Sequence, residues 1–226
     1  HRDLHSFPTR RSSDRTLRNF GTNVGGVFGD KIREIVDKCL NWGLLKRDVQ
    51  ERLQATERGK VTAQMGISVD TCLNLLKWMD LCDAMRVSDL EVLVAVALTA
   101  DAREIHVPLR KGEFRQSKYR NLFRSEVERL GEGDKILFKS ILGPSHRPLY
   151  EQERALKKAL ILYHWISPSP TREIEETHNV FSGAIKKMGE EFSWLIEAIS
   201  SLAKSEGWPE QVTKKIGQRS DRKSVV

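Results

Sequence analysis

From Phe181 to Ala203 the apolar residues Phe181, Ile185, Met188, Phe192, Leu195, Ile199 and Leu202 recur at steps of four and three. That spacing lines one face of an α-helix of roughly six turns. A helix of that length needs partners along its whole seam, which commits the chain to a helical bundle. Trp194 falls outside the seam. At about 100° per residue it lies roughly 140° round the helix, on the same stripe as Lys187 two turns earlier. An ammonium and an indole on one face suit a single strand of nucleic acid, the first meeting phosphate and the second stacking on a base. Periodicity leaves another reading open, in which a neighbouring helix covers Trp194 and Lys187 is simply solvated.

Toward the N-terminus the pattern changes. Asp30 is placed to cap a helix running to about Trp42, with Ile32, Ile35, Val36, Cys39 and Leu40 on one face and Gly43 ending it. Leu44-Leu45-Lys46-Arg47 and Arg52-Leu53-Gln54-Ala55 then pair as a short hairpin around Asp48-Val49-Gln50. A helix followed by a small hairpin suggests a winged helix.

The rest of the chain reads as helices. Thr56 starts a short one that ends at Gly66, and Ser68 caps another carrying Cys72, Leu75, Leu76, Met79 and Leu81. Ser88-Asp89-Leu90-Glu91 is a capping box ahead of the apolar run Val92 to Leu98, which favours a buried helix over a buried strand. Val107 to Glu113 reads as an exposed loop. Gln116 to Leu130 reads as an amphipathic helix with Lys118, Arg120 and Arg124 on its outer face. Gly143-Pro144-Ser145 breaks the chain before a helix over Glu151–Ile166. Ser169 and Pro170 supply an N-cap and a first-turn proline for a short helix to His178, and Gly207 and Pro209 stop the long helix.

Catalytic signatures are absent when tested in turn. Gly25-Gly26-Val27-Phe28-Gly29-Asp30-Lys31 superficially suggests a phosphate loop, but Asp30 would put a carboxylate where phosphate must sit. No Asp-Glu-Ala-Asp run, nucleophile elbow or His-Glu-x-x-His occurs. Cys39, Cys72 and Cys82 are odd in number and lack metal-type spacing, so they read as small core residues in a reducing compartment. His106, His146, His164 and His178 are scattered, and no metal site is expected. Leu90 to Leu98 is too short to span a bilayer, so no membrane partner is expected and the setting is intracellular, cytoplasmic or nucleoid-associated.

Both ends of the chain look unlike the middle. Residues 1–14 resemble the conceptual translation of a sequencing-library adapter, and the tail at 217–226 closes on Asp221-Arg222-Lys223-Ser224-Val225-Val226, which resembles its reverse complement. The formal charge is +7 over all 226 residues. Residues 1–14 and 221–226 each contribute one net positive charge, which leaves a mild basic excess that permits nucleic-acid binding without requiring it. With 39% apolar and 31% charged residues, the middle suits a folded helical protein.

In their order these pieces resemble the C-terminal part of the Ski-two-like helicases of superfamily two, closest to the archaeal DNA repair helicases related to the helicase part of DNA polymerase theta. The resemblance runs from about Leu17 to Lys215. It is carried best by Leu53-Gln54-Ala55-Thr56-Glu57-Arg58-Gly59-Lys60-Val61 and by Ala159 to Ala203, where Trp165-Ile166 and Ile174 precede Val180-Phe181-Ser182-Gly183-Ala184-Ile185-Lys186-Lys187. The family commonly has Gly-Asp and Arg-Arg where this chain has Gly183-Ala184 and Lys186-Lys187; lysine keeps the charge and loses the guanidinium fork.

The resemblance implies a mainly α fold: a winged-helix domain over 15–66, then a helical bundle over 67–216 built on a long "ratchet" helix. It implies a nucleic-acid-binding fragment of an ATP-dependent helicase that grips the translocated single strand, DNA in preference to RNA, through Lys186, Lys187 and Trp194. The chain alone is then no enzyme and holds no cofactor; ATP and Mg belong to RecA-like motor domains of the same parent, which are its other partner. Two other classes compete. A free-standing winged-helix regulator needs a polar, basic recognition helix, and a protein-interaction scaffold of the Sec type needs no grip on a strand.

Overall fold

A computed structural model describes residues 25–143 and 149–221. The adapter-like ends lie outside the described residues, except that 217–221 continue the last helix. Pro144 and Ser145 also lie outside them. The fold is mainly helical with one small antiparallel hairpin. It divides into two compact units, residues 1–56 and 57–226.

In the first unit, helix α1 (Gly25–Asn41) leads into strands β1 (Leu45–Arg47) and β2 (Leu53–Ala55), with Leu45 opposite Ala55 and Arg47 opposite Leu53. Helix and hairpin thus stand as the sequence implies. Asp48 makes the turn: its Oδ1 accepts from the backbone N–H groups of Gln50 and Arg52, and its Oδ2 from the Arg52 guanidinium. Thr56 closes the unit, its Oγ1 donating to the Gly43 carbonyl at 2.6 Å. The helix begins earlier than expected. Asp30 does not cap it but lies inside it, accepting from Arg33 one turn on, and the glycines of the apparent phosphate loop are helical. Ile32 and Ile35 are exposed, while Val36, Cys39 and Leu40 are half-buried.

The second unit holds α2 (Glu57–Met65), α3 (Val69–Leu81), a 3₁₀ turn (Ala84–Arg86), α4 (Asp89–Ala97), α5 (Ala100–Glu104), α6 (Lys111–Arg115), α7 (Lys118–Leu130), α8 (Ile136–Leu142), α9 (Tyr150–Ile166), α10 (Thr171–His178), α11 (Ser182–Ser205) and α12 (Glu210–Asp221). Every residue of α4 from Leu90 to Ala97 is buried, as a helix that is apolar all round must be. It lies against both α9 and α11, and α11 in turn carries α2 and α12.

Most helix starts follow from capping. The Ser68 hydroxyl accepts from the Thr71 N–H, Thr99 from Ala102 and Ser88 from Glu91. The box at Ser88 is only half made, because the Glu91 carboxylate turns to Lys135. Ser169 makes no cap; Pro170 takes the N-cap position itself, one residue before the helix. The segment over Val107–Glu113 is not an exposed loop. Val107, Leu109 and Glu113 are buried, and its last residues form α6, because Glu113 supplies the acceptor that the core beneath it needs. Gly207 and Pro209 end α11 but not the bundle: Trp208 folds back at 5.8 Å from Trp78, and α12 returns along α11.

Candidate nucleic-acid interface

On α11 the seam is buried as its spacing requires. Ile185, Met188, Phe192, Leu195, Ile199 and Leu202 are each at most 3% exposed. Phe181 breaks from that seam. It is the N-cap residue with an extended backbone, and its side chain is 83% exposed, because the helical periodicity that would carry it inward begins only at Ser182.

Lys186 and Lys187 are exposed, and neither meets a carboxylate within ion-pair distance among the described residues. Trp194 is 38% exposed. Its indole N–H donates to the carbonyl oxygen of Met65, the last residue of α2, at 2.6 Å. Part of the ring is thus held by a neighbouring helix and part is open. Glu190 and Glu197 are also exposed and flank Trp194 on the same side of the helix. The face therefore alternates cations and carboxylates around one aromatic.

The start of α11 is closed to anions. The Glu175 carboxylate of α10 accepts the Ser182 backbone N–H at 2.5 Å, so a carboxylate already occupies that helix terminus. On α7 the basic face is largely committed. Lys118 donates to the Thr177 carbonyl at 2.6 Å and Arg120 to the Gly143 carbonyl at 2.7 Å, while Arg124 is exposed.

A buried polar cluster lies under α6 and escaped sequence reading. Lys157 is fully buried on α9, and its Nζ donates to the Pro108 carbonyl at 2.7 Å and to Glu113 Oε2 at 3.1 Å. Burial works against a charged Glu113, but the Arg110 backbone N–H and Lys157 outweigh it and hold the carboxyl below its ordinary range. The Tyr119 hydroxyl donates to Glu113 at 3.0 Å, and burial pushes its own pKa up. The Tyr119 ring stacks on His178, whose Nε2 lies 3.0 Å from His164 Nδ1. Burial and the neighbouring His164 drive the His178 pKa down to about 3. Glutamate, tyrosine, lysine and two histidines thus meet from four helices, although the histidines are fourteen positions apart in the chain. The signal that was available is Lys157-Lys158 inside an otherwise apolar helical stripe.

Among the described residues no three His, Cys, Asp or Glu side chains are grouped to hold a metal, and no helix is long and apolar enough to cross a membrane. Cys72 is buried, its Sγ accepting from the Thr62 hydroxyl at 3.1 Å, and burial raises its pKa. Burial likewise raises Cys82, to about 12. Neither thiol is poised to react.

Comparison with known proteins gives the family of the chain. The family described as "Archaeal helicase, domain 4" matches residues 90–222, from the start of α4 to the end of α12. Among curated proteins the chain is 26% identical over 185 residues to the ATP-dependent DNA helicase Hel308 of Caldivirga maquilingensis. That match covers 78% of this chain and 22% of the relative, so the chain spans about a fifth of the curated relative's length. More than half of the chain, including the long helix α11 and α12, which returns along it, falls within the family match, and the chain belongs to the archaeal helicase domain 4 family.

Proposed function

We propose that this chain is the strand-holding part of an ATP-dependent DNA helicase, and that α11 grips the translocated single strand. The observation that carries this reading is Trp194: an aromatic on the long helix, off the core, with its N–H anchored and part of its ring open, one stripe with the unpaired Lys187. A base stacks on the open indole face while Lys186 and Lys187 attract the adjoining phosphates. The name of the Caldivirga relative supports DNA over RNA and ATP as the fuel.

In the parent, ATP and Mg belong to RecA-like motor domains, and this chain contributes no catalytic residue. Motor closure pushes the strand past α11, where stacking resists its return. The first unit acts as a winged-helix scaffold and does not read base edges. Its α1 presents Ile32 and Ile35 where a recognition helix needs polar, basic side chains.

Titration of the chain with fluorescently labelled single-stranded DNA at two salt concentrations tests the reading. Wild-type binding weakens with salt. Trp194→Ala loses about 1 kcal/mol or more, and Lys187→Ala flattens the salt dependence. Binding indifferent to both changes, or absent at low salt, sinks the reading and favours a protein-interaction scaffold.

A further inference from the structure

Helix α2 lies along the C-terminal half of α11 and touches it at three polar points. Near its N-terminus Arg58 pairs with Glu206 at 2.7 Å. At its C-terminus the Met65 carbonyl accepts the Trp194 N–H at 2.6 Å, and the Ser201 hydroxyl lies 4.0 Å from Met65 Sδ. The N-terminal turn of α2 thus meets the C-cap of α11 and its last residue meets the middle of α11, so the two helices run antiparallel.

Trp194 and Ser201 are two turns apart on one stripe, and Met65 spans both. The carbonyl is available because a helix end leaves its last acceptors without intrahelical donors. Gly66, at φ 65°, turns the chain away immediately after it, in a backbone conformation that an L side chain adopts only under strain.

An indole has one donor. Once that N–H is given to Met65, Trp194 has nothing left to offer a base edge, and rotation of the ring about its side-chain bonds breaks the bond. We infer that the C-terminal end of α2, through the Met65 carbonyl turned outward at Gly66, is a positioning element that fixes the plane of Trp194. It confines the ring to sequence-tolerant stacking on a nucleic-acid base and excludes hydrogen-bond readout of base identity.

This inference rests on the strand-gripping reading and adds to it a cause for the ring's orientation. Its consequence is coupling: α2 follows Thr56 with no intervening linker, so a displacement of α2 along α11 changes the ring that meets the strand.

The test uses the full chain, with labelled oligothymidine as the probe. In one variant Trp194→3-benzothienylalanine keeps a bicyclic ring of nearly the same area and removes the N–H. In the other, Gly66→Ala leaves Trp194 untouched, and a Cβ there meets no atom within 4 Å, so only the backbone conformation is disturbed. Each variant weakens binding about threefold to tenfold, part of the full stacking contribution, with the salt dependence unchanged because the lysines are intact.

Incorporated 5-fluorotryptophan gives an independent readout. The Trp194 fluorine resonance broadens or moves toward its unfolded position in Gly66→Ala, while those of Trp78 and Trp208 stay in place. The inference is overturned if both variants bind like wild type while Trp194→Ala weakens binding; the grip then stands without the clamp. If Trp194→Ala also binds like wild type, there is no stacking to orient, and the grip and the clamp fall together.

Discussion

Helices α9 and α11 each carry a Lys-Lys pair, and the two pairs meet opposite fates. Lys157 and Lys158 are at most 1% exposed, whereas Lys186 and Lys187 are exposed. Helix propensity does not separate them, since lysine fits a helix equally well in both places. The difference lies in what other elements supply. Over α9, the buried strap and α6 bring the Pro108 carbonyl and Glu113 to Lys157, and α5 brings the Ala102 carbonyl to Lys158. Over the first turns of α11 none of the described residues brings a carboxylate within ion-pair distance of Lys186 or Lys187. A lysine is buried where distant chain delivers acceptors and stays free where it does not, and only free cations are available to a phosphate.

The sharpest way to break this comparison is to exchange a lysine for methionine in each helix. Lys157→Met leaves the Glu113 carboxylate buried with only the Arg110 N–H, Tyr119 and more distant donors, which costs about 3 to 5 kcal/mol. For a unit of this size that lowers the thermal midpoint by roughly 10 °C. Lys187→Met changes stability by no more than about 0.5 kcal/mol and shows its effect in strand binding instead. Equal midpoints for the two variants in a calorimetric scan overturn the distinction.

Lys158 sharpens it further, because its Nζ donates to the Ala102 carbonyl and, among the described residues, has no carboxylate within ion-pair distance. Burial and the nearby Arg154 lower its pKa from an ordinary 10.5 to about 8. Between those values the unfolded chain holds a proton that the folded chain has released, so stability rises with pH across that window. Below about pH 8 the folded state bears the full cost of a buried ammonium, on the order of 3 kcal/mol. Denaturant unfolding of the wild type therefore strengthens between pH 8 and 10, and Lys158→Met removes that slope. A flat wild-type profile shows that the ammonium is better solvated than its burial implies.

These lysines also mark what the sequence conveys. The seam of α11, the caps at Ser68 and Ser88 and the Asp48 turn were legible because each depends on residues within one or two turns of each other. The strap at Val107–Glu113 was not, since its polar residues read as solvent-facing until Lys157, some forty positions on, is placed beneath it. Phe181 looked like a seam residue because periodicity does not say where the helix begins. At the candidate interface the residue types and their shared stripe were legible. The Met65 carbonyl that holds Trp194 was not, because a backbone acceptor leaves no mark in the sequence.

The histidine pair carries the buried side of the comparison toward acid. His178 is fully buried between Tyr119 and His164, and Lys118 and Lys157 disfavour its charge more strongly than Glu113 favours it. Burial also lowers His164, against the pull of Glu126 and Glu173, with Arg129 opposing. With a folded pKa near 3, His178 stays neutral as the pH falls through 6.5, where the unfolded residue takes a proton. Stability therefore drops with pH below 6.5, by about 2 kcal/mol at pH 5 from this residue. His178→Phe keeps the stacked ring and removes that share of the slope. An unchanged acid limb in the variant assigns the slope to other groups.

The smallest expected effect lies on the exposed side. Glu190 and Glu197 flank Trp194 among the cations Lys186, Lys187 and Lys204, so the face carries little net charge. A phosphate drawn toward either lysine is repelled by carboxylates within about a Debye length. If the strand is held mainly by the indole, the acids cost little in affinity and reduce sticking between steps, which suits a helix that must release and regrip. Glu190→Gln with Glu197→Gln then tightens single-strand binding about twofold to fivefold at low salt and steepens the salt dependence, with the gain lost at high salt. The same pair of changes made on Trp194→Ala gives the same ratio, since charge and stacking act on different parts of the nucleotide. A much larger gain, or one that needs Trp194, means that phosphate and base contacts are coupled on this face, and that the free lysines of α11 act as part of one site with the indole.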